Sequence, residues 1–325
     1  MPLESDVIVD RRRLRRKLSF WRVASALIAI VAVVAVGVYA TPSGRRLTGA
    51  SAIERVNIEG LIRSDQNRVE ALERLGKSSA PAVIVHINSP GGTTAGSEQL
   101  YDALMRLKAK KPMVVVVEGL CASGGYIAAL ASDHIVAQQT ALVGSIGVLF
   151  QFPNFTDLLK TVGVKVEEVK SSPLKAAPNG YEPTSPEARA ALDALVKDSY
   201  AWFRTLVQNR RGMDDAQLDK VADGRVFTGR QAIGLKLIDQ LGDEKTAIAW
   251  LVSAKNVKPD LPVRDFKLSP RFGDMTFLRT AASVTLDALG LSTIARQVEQ
   301  AGVVRAVDRL GLDGVLALWE PAVSN

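Results

Sequence analysis

The chain has a single cysteine and only two histidines among 325 residues. With Cys121 alone, no intramolecular disulfide can form. Nor does the cysteine read as a thiol nucleophile, because no neighbouring histidine or cationic cluster would lower its pKa; a small buried residue at a strand end is the simpler reading. The two histidines, His86 and His134, restrict any histidine-based catalysis to these positions. A basic surface is also missing. The net charge is +7, but residues 1–22 hold seven basic and three acidic side chains, which leaves 34 basic against 31 acidic elsewhere. That balance gives no signal for nucleic acid.

What is present begins at the N-terminus. The basic run Arg11, Arg12, Arg13, Arg15, Arg16 and Lys17 precedes residues 23–40, which carry no charge and consist almost wholly of Val, Ala, Ile and Leu. At about 1.5 Å per residue such a segment reaches about 27 Å, close to the hydrocarbon thickness of a bilayer. We therefore expect a basic cytoplasmic tail (1–22), a transmembrane anchor (23–40) in contact with lipid, and a Thr/Pro/Ser/Gly linker (41–52). The charge asymmetry puts the N-terminus in the cytoplasm and the remaining chain on the extracytoplasmic side of the inner membrane. A cleavable leader ending near Val38-Tyr39-Ala40 is the alternative.

The remainder is 47% hydrophobic over the whole chain and long enough for one large core. Residues 53–58 read as a strand and 67–75 as a helix. Residues 83–87 form a buried strand, Asn88-Ser89-Pro90-Gly91-Gly92 a turn, and 94–110 a helix. Val114 opens a second buried strand, followed by Ser123-Gly124-Gly125 and a helix. Strands are also expected at 133–138 and 164–169, and a helix at 154–163. The segment 170–182 reads as a loop, and Ser185-Pro186 opens a long helix to about Arg210. Alternating strands and helices predict an α/β fold with a largely parallel sheet. We bound this domain at 53–258 and assign 259–325 to a C-terminal extension of unknown role.

Ligands bind at the carboxyl ends of parallel strands, where Gly91-Gly92, Ser123 and Ser145 all fall. Ser123 follows a strand and precedes a helix, so its hydroxyl would face free N–H groups able to stabilise an oxyanion. The same pattern also suits a close-packed crossover whose serine merely caps a helix. A serine hydroxyl needs a base. His86 lies in an apolar strand and His134 at a strand start, so a lysine made neutral by desolvation is the better candidate.

Five ordered stretches, HINSPGG (86–92), CASGGYIAA (121–129), VGSIGV (143–148), KSSPLK (170–175) and DGRVFTGRQAIGLKLIDQLG (223–242), resemble the bacterial signal peptide peptidase A family, in its short form. These are membrane-anchored serine peptidases of family S49 with a ClpP/crotonase-like superfold. The resemblance implies that Ser123 is the nucleophile, Lys175 the general base and Ser145 the hydroxyl that orients Lys175. Gly92 and Gly124 would supply the oxyanion-hole N–H groups. It implies no metal and no cofactor, and it implies a homo-oligomeric ring in which one subunit's serine meets the next subunit's lysine. The implied substrates are apolar peptides, remnants of signal peptides. Ser172 stands where the family has glycine, Leu174 where an aromatic is common, and His86 where an arginine is frequent; Lys170 is the rival base. A crotonase-type acyl-CoA enzyme, an NfeD-associated or ClpP-type membrane protease and an inactive scaffold are the other readings of the same fold.

Overall fold

The computed structural model describes residues 51–268 and 316–318, together with Lys17 and Trp21. The expected anchor at 23–40 lies outside the described residues. Among the described residues no helix is long and apolar enough to cross a membrane.

Strand β1 (Ile53–Ile62) pairs in parallel with β2 (Val83–Thr93), and β2 with β3 (Met113–Val117). β3 passes its other edge to β5 (His134–Ala137), which pairs with β8 (Gln240–Leu241). After Glu118-Gly119 the chain re-enters as β4 (Leu120–Ala122), alongside the upper part of β2, with Ser89 opposite Cys121. β4 then pairs in parallel with β6 (Leu142–Gly144), and β6 antiparallel with β7 (Val226–Thr228). The sheet is largely parallel, as expected, but mixed. It also continues past residue 258, because β9 (Val263–Asp265) adds in parallel to β1.

The apolar runs of β2 and β3 are covered on both faces, which is why they do not alternate with polar residues. Val83, Val85, Ile87, Met113, Val115 and Val117 face a core shared with α1 (Gln66–Gly76), α2 (Thr94–Lys108) and α3 (Gly124–Ala129). Ile84, Val114 and Val116 face Ala247 and Leu251 of α8 (Glu244–Lys255). The long helix α5 (Pro186–Arg211) starts where expected: Ser185 accepts the Ala188 N–H, and Gly212 ends the helix in the left-handed region. Its C-terminal half is anchored by Phe203 and Val207, both fully buried, and by Arg210, which donates to the Leu130 and Ser132 carbonyls.

Two expectations need correction. Asn88 to Gly92 is not a turn: β2 runs through it to Thr93. The register explains how. Ser89 and Pro90 together oppose Gly60 alone on β1, a bulge that gives Pro90, which has no N–H to donate, a place within a strand. Residues 164–169 form no strand; Val164, Val166 and Val169 are exposed and lack a sheet partner. Alternating valines suit a strand only where a neighbouring edge exists.

Candidate active site

β4 and β2 advance together from the Ser89–Cys121 pair, so Gly92 and Gly124, each three residues further on, come to the same end of the sheet. Gly92 is pressed against β1: a Cβ built there would lie 1.8 Å from the Ile62 carbonyl oxygen, so no side chain fits. Ser89 holds this approach in place. Its buried hydroxyl donates to the Gly60 carbonyl at 2.7 Å and accepts the Gly91 N–H at 3.0 Å. Ser89 was not singled out in the sequence; a serine directly before Pro-Gly-Gly in an apolar strand was the available signal.

Ser123 joins β4 to α3 with φ 53° and ψ −116°. A non-glycine residue there carries strain of about 1–3 kcal/mol, a cost typical of functional positions. The conformation is enforced from both sides: the Ser123 N–H donates to the Gly144 carbonyl at 2.8 Å, and the Ser123 carbonyl accepts the Ile127 N–H at 3.0 Å. Below it, Tyr126 is fully buried and its hydroxyl donates to the Leu237 carbonyl at 2.7 Å. The strained turn therefore stands on a packed base.

Ser145 repeats the geometry one strand over. It too has φ 53°, and its N–H donates to the Arg225 carbonyl at 2.8 Å. Asp223 fixes Arg225 by an ion pair, so the stretch from Asp223 holds the loop that carries Ser145. Between them Gly144, with φ 107°, adopts a backbone that a side chain would strain. The structure thus brings Ser123, Ser145, Gly92 and Gly124 to one sheet end.

It does not bring Lys175 there. Lys175 sits on an exposed turn, its N–H donating to the Ser172 carbonyl. The Ser123 hydroxyl is fully buried and has no hydrogen-bond partner. The rival lysine is committed elsewhere: Lys170 lies between Glu168 and Glu182, and hydrogen bonds to those carboxylates raise its pKa and hold it protonated. The histidines are also engaged. His86 Nε2 is 2.7 Å from Glu244 on the α8 face of the sheet, beside a polar cleft of about 400 Å³ that Arg55 and Glu118 also line. His134 stacks on Trp250 and meets Gln240. Neither approaches Ser123 Oγ, so no Ser-His-Asp triad exists among the described residues. Cys121 is fully buried, and burial pushes its thiol pKa up, away from a reactive thiolate.

An unpaired serine hydroxyl on a strained strand-to-helix turn, facing a strand whose glycine admits no side chain, defines an α/β enzyme of the acyl-transfer kind. The comparisons with known proteins identify its family. The model of Peptidase family S49 matches residues 105–258. "Putative protease slr0021" of Synechocystis sp. is 36% identical over 64% of this chain and 76% of its own length. "Putative signal peptide peptidase SppA" of Enterococcus faecium is 30% identical over 62% of this chain and 59% of its own. "Protease 4" of Haemophilus influenzae is 30% identical, but the match spans 36% of that longer protein. Among solved structures, the 1510-N membrane-bound stomatin-specific protease superposes with a TM-score of 0.42 at 15% identity, covering 67% of this chain and 98% of that one. The chain belongs to peptidase family S49 and is a serine peptidase.

Proposed function

We propose that the protein is a membrane-anchored endopeptidase that cleaves apolar peptides, remnants of signal peptides, with a Ser123/Lys175 dyad completed between subunits of a ring of ClpP/crotonase-like protomers. The observation that carries this reading is the Ser123 hydroxyl, buried and without a partner in its own protomer, while Lys175 is presented on the outside. A second subunit supplying Lys175 would give the serine its base. The surface around the lysine supports such a contact: Phe155, Leu158, Val162, Val164, Val166 and Leu174 are all exposed large apolar side chains.

In the cycle, neutral Lys175, oriented by Ser145, takes the Ser123 proton as the oxygen attacks a peptide carbonyl. The Gly92 and Gly124 N–H groups hold the oxyanion, and Lys175 protonates the leaving amine. Water, deprotonated by the same lysine, then releases the acyl group. The expected orientation, with the catalytic domain on the extracytoplasmic face, belongs to this proposal.

The test is hydrolysis of a synthetic apolar signal-peptide fragment by the full chain in detergent, with fluorophosphonate labelling in parallel. Wild type should cleave and label, and Ser123→Ala should do neither. Cleavage that survives Ser123→Ala would end the proposal.

A further inference from the structure

The end of β2 has two edges, and both are occupied. At Gly91 and Gly92 β1 holds one of them, through Leu61 and Ile62. The other is taken by a strand from the far end of the chain: β10 (Leu316–Leu318) pairs antiparallel, with Leu316 opposite Thr93, Ala317 opposite Gly92 and Leu318 opposite Gly91. A strand offers only two hydrogen-bonding edges, so β10 lies on the edge that β4 uses lower down, where Ser89 faces Cys121. β4 ends at Ala122 and the next residue is Ser123. The edge filled by β10 is therefore the one that runs on past the serine.

That edge has a definite use. A peptide whose carbonyl is attacked by Ser123 Oγ, with the oxygen held by the Gly92 and Gly124 N–H groups, must lie extended alongside Gly91 to Thr93. Main-chain pairing with an open strand edge is the general way a protein holds an extended peptide without demanding one sequence. β10 lies along that line. Its sequence also fits: Val315-Leu316-Ala317-Leu318-Trp319 is an uncharged apolar run between Asp313 and Glu320, with its smallest residue opposite Gly92.

We propose that the C-terminal strand Leu316–Leu318 is a built-in substrate mimic, which occupies the peptide-binding edge beside Ser123 and must leave before an extended apolar peptide can be cleaved. This rests on the reading of Ser123 and Gly92 as nucleophile and oxyanion donor. A three-residue strand is a weak ligand by itself, but tethering gives it an effective concentration of about millimolar. The tail thereby sets a threshold: a peptide enters only when its concentration and affinity together exceed those of the tethered strand. It gives the C-terminal extension a role that its sequence pattern alone does not suggest.

The experiment uses the full chain carrying both Ala317→Pro and Leu318→Pro. Successive strand residues direct their N–H groups to opposite edges, so one of the two prolines removes a donor facing β2. With an apolar peptide substrate, KM should fall about 3- to 10-fold relative to wild type as the tethered competitor is lost. The same prolines are placed in Ser123→Ala, and binding of a fluorescein-labelled peptide of residues 312–323 is followed by anisotropy. It should bind the proline chain several-fold more tightly than the Ser123→Ala chain with its native tail. Equal KM values together with equal affinities would overturn the proposal. Tighter binding by the proline chain, with no hydrolysis by wild type, would uphold the tail as the occupant of the edge and overturn the endopeptidase reading instead.

Discussion

The two halves of the candidate dyad sit in opposite physical settings. Ser123 is fully buried, its backbone held by β6 on one side and α3 on the other. Lys175 lies in a segment with little core: apart from Trp21 and Leu61, every large apolar side chain exposed among the described residues falls between Leu149 and Leu195. Holding a strained serine requires a rigid mould, because strain persists only where the surroundings over-determine it. Carrying a base to another subunit requires a projecting surface with unspent apolar area. The first region is stabilised by its own core. The second is completed by what it touches.

The largest expected effect tests that division at the lysines. Lys175→Ala should lower kcat/KM for an apolar peptide by about 10³-fold, the usual worth of a positioned general base, while Lys170→Ala should cost less than about threefold on the same scale. The reverse order, measured side by side, would move the base to Lys170 and break the contrast between a free lysine and one held by Glu168 and Glu182.

Glycines sharpen the comparison next. Gly92→Ala forces a Cβ to 1.8 Å from the Ile62 carbonyl, and urea unfolding should show a loss of about 3 kcal/mol or more. Gly163 has open space around it and only a positive φ, so Gly163→Ala should cost about 1 kcal/mol. Equal losses would mean that the serine region is no more tightly built than the lysine region.

A smaller effect on stability, but a large one on assembly, is expected from Val162→Asp. Val162 is exposed, so the change should alter unfolding free energy by no more than about 0.5 kcal/mol. Sedimentation should nevertheless show weaker self-association. Unchanged association would remove the apolar surface from the proposed contact.

The smallest concerns the face opposite the α1–α3 core. Hydrogen bonding from Arg55 holds the Glu244 carboxyl below its ordinary value, against desolvation, with His86 assisting. A depressed folded-state pKa contributes stability above the unfolded value and loses it as pH falls through the folded one. Glu244→Gln should therefore cost about 1 kcal/mol at neutral pH, modest because the pair is partly solvated. The difference in thermal midpoint from wild type should shrink as pH drops below 4.5, the ordinary value. A difference that grew on acidification would reverse the sign of the linkage.

Much of this arrangement was legible in the residues. The buried strands, the long helix opened by Ser185-Pro186 and the Ser123 turn follow from apolar runs, caps and small residues, all of which are local signals. The bulge at Ser89-Pro90 was not, because a proline followed by two glycines reads as a turn unless the partner strand is known. The strand expected at 164–169 failed for the converse reason: its alternation was right but no edge adjoined it. Pairing of Leu316–Leu318 with Gly91–Thr93 joins the two ends of the domain, a contact that no local pattern encodes. The site residues were chosen by motif, and the geometry groups four of them while leaving Lys175 apart.

The shared dyad is tested most directly by mixing two inactive full-length variants, Ser123→Ala and Lys175→Ala, and measuring peptide hydrolysis after subunit exchange. If one subunit's serine uses its neighbour's lysine, randomly mixed rings should recover about a quarter of the wild-type rate, because some interfaces regain both groups. If the mixture stays as inactive as either variant alone after exchange is complete, the dyad is not shared between subunits and the account fails.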